Sequence, residues 1–413
     1  MTTTPALRPN VAVAHASESR DTAAVHATLA ASPEGFMSTA LARLDRIGVS
    51  IFDLCHYPYD NDPAAYDRAL ARSVYDEHFE EWLAAERLGF DGIFLAEHHF
   101  TAYNLLPSPN VMLGALAART ERVRIGAMIN VIPFHQPLRL AEEAAMLDVL
   151  SSGRLEVGVG RGIDFQEVRK FGMEFDELRP RFQEGMELIR KAWTGVEFEH
   201  HGDFYSLGRA AIYPRPLQEP HPPIWAAAES PETIEWVASQ GFGMSTIFLP
   251  TELVGEKLEH YLDAGSRSEH ELGAANFMLF RNVYVAPSDD EAIADCDPAL
   301  SHMMFLFADA ALPPDPDMLP DSYAFHREQF RGFMEAPETF ADIMNAGVVL
   351  CGSPATVRDQ LLAQVDGLGL RQICLLFAFG NLPHAKVMRS MELFANEVLP
   401  VLRAGERAAS DVR

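Results

Sequence analysis

A chain of 413 residues with 48% hydrophobic content can bury a large core, and its length fits one α/β barrel with insertions as well as two ordinary domains. Its formal net charge of −26 repels phosphate backbones and anionic lipid, which disfavours nucleic-acid and membrane-surface binding and favours a small neutral substrate. Cys55, Cys296, Cys351 and Cys374 are scattered, with no CxxC, and read as reduced thiols of a cytoplasmic protein; no apolar run approaches a membrane span.

Residues 1–45 are rich in Ala, Thr and Ser and read as a flexible extension, not a secretory signal, because no apolar stretch follows a basic start. Met37 is an alternative start, since "MSTALARLDRIGVSIFDL" leads straight into the first β-rich run. From Arg46 on, short β-rich runs alternate with helical patterns: "IGVSIF" (47–52), "GIFLA" (92–96), "VRIGAMINVI" (123–132), "LEVGVG" (155–160), "PIWAA" (223–227), "GMSTIF" (243–248), "FMLFRNVYVA" (277–286) and "QICLLFA" (372–378). Eight such runs, with helices between them and no GxGxxG after the first, predict an α/β fold of the (β/α)8 TIM-barrel type over 46–405, with a short tail at 406–413. Helices are expected at 75–89, 109–120, 138–153, 178–193, 231–241, 251–265 and 385–402. More than 80 residues separate the last two β-rich runs, and the stretch 288–347 is expected to form a lid. Its Met303, Met304, Phe305 and Phe307 suit an apolar pocket or an amphipathic helix packed on the barrel.

Glu97, His98 and His99 directly follow the second run, at the end where barrel enzymes place their active sites. Consecutive strand residues point to opposite sides, and neither HExxH nor any other ligand spacing is present, so a metal site is disfavoured. General acid/base residues and polar residues that satisfy a strand end remain as the two readings.

The stretch from Ile47 to Leu402 resembles the bacterial luciferase family of flavin-dependent monooxygenases. "AEHHFTAYNLLPSPNV" is similar to the family segment with the catalytic histidine, here His98, beside His99 and Glu97. "IGAMINVIPFHQPLR" resembles the segment where an often cis non-prolyl bond supports the flavin ring, with Met128 and Ile129 as the nearest match. "SSGRLEVGVGRGIDFQEVRKFG" and "FDELRPRF" imply Arg161 and Arg179 as phosphate ligands, and "AAAESPETIEWVASQGFGM" implies Ser230 and Thr233 on the phosphate with Glu229 along the flavin. Phe248 falls where catalytic luciferase subunits carry a tryptophan, and Gly160 where many carry a cysteine. Two arginines, two hydroxyls and the amides opening helix 231–241 form a cradle suited to a phosphate dianion.

The resemblance implies a two-component monooxygenase using reduced FMN from a separate NAD(P)H:flavin reductase, forming a C4a-peroxyflavin with O2, and acting on a small apolar, carbonyl-containing or terpene-like substrate. The alternatives are an F420-dependent oxidoreductase of the same superfamily and a flavin-binding protein without turnover. His98, with an ordinary value near about 6.5, is expected to exchange a proton at neutral pH, with His99 and Glu97 orienting it or holding the ring edge. Phe100, Phe134, Trp225 and Phe248 suggest an apolar pocket. Leu113, Leu116, Ala117, Leu140, Ala144 and Leu147 lie at helical spacing on the helices through which the family dimerises, which implies a homodimer or a related heterodimer.

Overall fold

The computed structural model describes residues 46–404, apart from 60, 247 and 336–338. The expected extension at 1–45 and tail at 406–413 lie outside the described residues. Strands follow as β1 (Gly48–Asp53), β2 (Gly92–Leu95), β3 (Arg124–Ala127), β4 (Asn130–Val131), β5 (Val157–Gly160), β6 (Phe198–His201), β7 (Ser206–Ala210), β8 (Ile224–Ala227), β9 (Gly243–Ser245), β10 (Phe277–Val285), β11 (Val349–Gly352) and β12 (Gln372–Leu376). Helices α1 (Arg68–Leu88), α2 (Pro109–Ala117), α3 (Pro137–Leu150), α4 (Phe165–Lys170), α5 (Phe175–Thr194), α6 (Pro231–Ser239) and α7 (Thr251–Ser266) intervene, followed by α8 (Asp289–Ala311), α9 (Ala324–Glu335), α10 (Phe340–Asn345), α11 (Pro354–Leu368), α12 (His384–Leu393) and α13 (Leu399–Ala404).

All strands except the antiparallel β6–β7 hairpin belong to one parallel sheet that curls into a barrel: β12 pairs with both β1 and β10, and the β3–β4 strand spans between β2 and β5. Alternation sorts the side chains. Ile93 and Leu95 join the apolar layer under the helices, whereas Phe94 turns inward with Phe52, Met278 and Phe280. The eight expected runs form the barrel, with ends that coincide or are displaced by up to three residues. The third is interrupted at the cis Met128–Ile129 bond, so that it appears as β3 and β4.

Backbones approach closely around this break. A Cβ on Gly158 would stand 2.3 Å from the Ala127 carbonyl oxygen, a backbone atom that cannot step aside. Gly158→Ala is therefore expected to cost about 3 kcal/mol, the upper end for overpacking, read as a lowered urea midpoint.

Three features differ from the sequence reading. The long connection between the last two expected runs also holds a strand: β11 pairs in parallel with the last four residues of β10, and α11 follows it. The β6–β7 hairpin was also not expected; its "FEHH" and "SLGRA" are mostly exposed and carry little apolar alternation. The six residues assigned to a dimer face, Leu113, Leu116, Ala117, Leu140, Ala144 and Leu147, are all buried within this one chain. What α2 and α3 expose instead is Val111, Met146, Val149 and Leu150. Among the described residues, no helix is long and apolar enough to cross a membrane.

Candidate active site

A cavity of about 570 Å³ opens at the C-terminal ends of the strands. β1 brings Phe52, the turn after β2 brings Glu97 and His98, the β3–β4 break brings Met128 and Ile129, and the end of β5 brings Gly160 and Arg161. The insertion closes the other side with Met303, Met304 and Phe307 of α8 and His326 of α9. Of the four aromatics expected in an apolar pocket, only Phe248 lines it, near Phe52 and Phe280. Phe100 is 54% exposed, Phe134 stacks on Phe171, and Trp225 lies in the barrel interior donating to Glu156. Phe305 also points outward, so α8 presents Met303, Met304 and Phe307 to the cavity from one side.

The Glu-His-His run separates into two clusters, as side-chain alternation requires. Glu97 accepts from His99 Nε2 at 3.0 Å, from His135 Nε2 at 2.9 Å and from the Val131 amide at 3.1 Å. Burial works against its charge, and the hydrogen bonds from His135 and His99 outweigh that, holding its carboxyl below the usual range. Glu97 thereby fastens the backbone just after the Met128–Ile129 bond, and His99 serves Glu97, not His98.

His98 turns the other way. Its Nδ1 lies 2.8 Å from Asp164 Oδ2 and 3.1 Å from Glu167 Oε1, and Glu167 also accepts the His99 amide at 2.7 Å. Burial alone would lower the imidazole, but Asp164 and Glu167 overcome it and hold His98 well above its ordinary value. These two carboxylates favour the imidazolium, in contrast to the ordinary value near neutrality expected from the sequence. Burial and Asp164 in turn push Glu167 up. Tyr103 stands edge-on to the His98 ring at 5.2 Å. Neither carboxylate was singled out in the sequence, although "DFQE" places them three apart at the start of α4. His98, Asp164 and Glu167 also have the spacing to hold an ion, as do Asp53, His78 and Glu81, two groupings that the fold assembles from distant segments.

The residues expected around a phosphate do come together. Arg179 Nη2 donates to Ser230 Oγ at 3.4 Å, and Ser230 Oγ and Thr233 Oγ1 are 3.0 Å apart. Arg161 is buried and ion-pairs with no carboxylate among the described residues; burial lowers its guanidinium and the nearby Arg179 adds to that. Its contacts are the Tyr323 ring, 4.4 Å below the guanidinium, and His326 Nε2 at 3.0 Å. The start of α6 offers fewer donors than expected: Pro231 has no N–H, the Thr233 amide donates to Ser230 O, and Glu232 folds its carboxylate toward its own amide and to within 3.6 Å of Arg179. Glu229 ion-pairs with Lys257 at 3.3 Å at the cavity wall. A buried arginine with no ion-paired carboxylate among the described residues, a second arginine and two hydroxyls form a donor set that fits a phosphate ester.

Gly160 leaves room for its neighbour. A Cβ there would fall 2.0 Å from Ile129 Cδ1, so a cysteine at this position requires Ile129 to turn away from its place in the cavity wall.

The sequence profile of the luciferase-like monooxygenases matches residues 51–372. The chain is 34% identical over 230 residues to the oxygenase component of a flavin-dependent trigonelline monooxygenase of Acinetobacter baylyi, covering 55% of this chain and 63% of that protein. It is 26% identical to the alkanal monooxygenase alpha chain of Photorhabdus luminescens over 77% of this chain and 89% of that one. Among solved structures, a monooxygenase from Streptomyces bottropensis superposes with a TM-score of 0.73 at 29% identity, over 86% of this chain and 99% of that chain.

Proposed function

Because the chain belongs to the luciferase-like monooxygenase family, we propose that it is the oxygenase component of a two-component system. It takes reduced FMN from a separate NAD(P)H:flavin reductase and uses O2 to oxygenate a small apolar, carbonyl-containing or terpene-like substrate. The observation that carries this reading is the shared cavity: the buried Arg161, with Arg179 beside it, holds the polar side, the His98 cluster a second side and the Met303–Phe307 face of α8 a third.

When bound, reduced FMN supplies the reaction with O2. Arg161, Arg179, Ser230 and Thr233 would hold its phosphate, and Met128, Ile129 and Phe248, which line the cavity, would receive its ring. Phe52, Phe280 and the α8 residues exclude water and hold the substrate. His98 commits Nδ1 to Asp164 and Glu167, which leaves Nε2 as the nitrogen that delivers a proton into the cavity. Asp164 and Glu167 keep that proton available at neutral pH, as a carboxylate does for an imidazole in acid/base catalysis.

A pH profile follows from the sign of this shift. If turnover uses protonated His98, product formation is retained through neutral pH and falls as pH rises through the raised His98 value. Glu167→Gln removes one of the two anions, lowers that value and moves the alkaline limb to lower pH, measurable as product against pH from about 6 to 9. A limb that stays in place rules out His98 as the titrating group.

Anaerobic titration with reduced FMN and with reduced F420, each then mixed with O2, tests the cofactor assignment. Tight binding of reduced FMN with substrate-dependent product formation is expected; preference for F420 rejects the reading. The chain is also expected to form a homodimer or to pair with a related chain, through the exposed Val111, Met146, Val149 and Leu150 and the open groove of about 730 Å³ between α1 and α2. Monomer alone in sedimentation at micromolar concentration argues against the homodimer.

A further inference from the structure

The anion cradle has one wall that the phosphate assignment leaves unexplained, and it comes from the insertion. His326 on α9 is 2% exposed and lies 165 residues from Arg161 in sequence, yet its Nε2 takes Arg161 Nη2 at 3.0 Å. A guanidinium has no acceptor, so Nε2 presents its lone pair and the ring proton sits on Nδ1, 3.3 Å from Gln329 Oε1. Tyr323 lies beneath the same guanidinium and donates its hydroxyl to the Gly162 carbonyl at 3.3 Å. The charged groups around the imidazole are Arg161 after β5, Arg179 on α5 and Lys257 on α7; Glu232 offsets Arg179 and Glu229 offsets Lys257. Burial and these cations lower His326 to about 4, so it is neutral at physiological pH.

A phosphate dianion docking against Arg161 reverses that field. A lone pair repels a phosphate oxygen, whereas an N–H donates to it. We propose that His326 is an anion-binding residue that takes up a proton when a phosphate-terminated ligand docks, fastening the insertion over the ligand by a charge-assisted hydrogen bond made only in the loaded state. This rests on the phosphate reading of the Arg161–Arg179 cradle. The bound value lies above the free value of about 4, so the added affinity is full below that value and is lost as pH rises through the bound one. Between the two values, binding consumes up to one proton.

The test is calorimetric titration with oxidised FMN and with riboflavin, in two buffers of different ionisation enthalpy, on the full chain and on His326→Gln. Glutamine can still accept from Arg161 but cannot take up a proton. At about pH 7 the phosphate is already mostly dianionic, its second pKa being about 6, so uptake there belongs to the protein. The expected result is uptake of a fraction of a proton with FMN and none with riboflavin, together with an FMN affinity that rises several-fold from about pH 8 to about pH 6.5. His326→Gln abolishes both effects. A preference for FMN over riboflavin with equal uptake in both chains overturns the His326 assignment alone. Equal binding of FMN and riboflavin overturns it together with the phosphate reading. The unsubstituted chain is an independent test, because an FMN affinity that does not change with pH also overturns the proposal.

Discussion

Replacing His98 with alanine is expected to lower product formation by about 10²–10⁴-fold, the scale of a lost positioned acid, while FMN still binds. The imidazole ring is partly open to the cavity, with 23% of its side chain exposed, and so contributes little packing. Its removal does leave Asp164 and Glu167 facing one another without a cation. Glu167 is already pushed up by burial and by Asp164, so it takes a proton instead of forcing the barrel open. A stability loss of about 1–3 kcal/mol is expected, well short of unfolding. With reduced FMN supplied, O2 uptake is expected to continue and to yield hydrogen peroxide in place of oxygenated product. Oxygen uptake, peroxide and product measured together separate these fates. Full coupled oxygenation in the variant places the proton donor elsewhere; a chain that no longer folds makes His98 structural. His99→Ala is expected to act through Glu97 and the Val131 amide, disturbing flavin affinity more than proton delivery.

Arg161→Ala is expected to weaken FMN binding by about 1.5–3 kcal/mol, roughly 10- to 150-fold, because a buried charged donor to the phosphate is lost. Arg161 also rests on Tyr323 and His326, so the substitution loosens the insertion as well. Riboflavin distinguishes the two effects. With no phosphate to lose, its affinity is expected to change little, whereas a loosened lid alone weakens both ligands equally. Arg161→Lys keeps the charge but not the fork and is expected to fall between the two chains. An FMN affinity unchanged by Arg161→Ala removes the phosphate assignment.

Much of the architecture was legible because barrel strands buried on both faces read as short β-branched and aromatic runs. β11 was not: "VLCG" is four residues long, and it pairs only with the far end of a strand that already had two neighbours. The dimer residues failed for a related reason. Helical spacing identifies an apolar stripe but not what covers it, and the barrel itself covers Leu113 and Leu140. In the site, residues close to a motif were readable and those contributed from afar were not. His98 stands in a dense polar cluster of sequence, but Glu167 joins it from 69 residues away and His326 joins Arg161 from 165. The raised His98 value follows from those distant carboxylates and has no signature at Glu97–His99 itself.

The insertion leaves and rejoins the barrel at nearly one point. β11 runs beside the end of β10, the Ala286 amide donates to the Gly352 carbonyl at 3.1 Å, and the Ser353 amide donates to Asp289 Oδ1 at 2.6 Å. A segment whose two ends are stapled together behaves as a cassette: changing its internal length adds little closure entropy and leaves the register of the barrel strands untouched. Exchange of residues 289–352 between related barrels would thus replace the Met303–Phe307 substrate wall in one step. Because the same cassette brings the ring and imidazole that receive Arg161, a donor segment must supply counterparts of Tyr323 and His326, which ties the diversification of substrate range to one fixed requirement at the anion site.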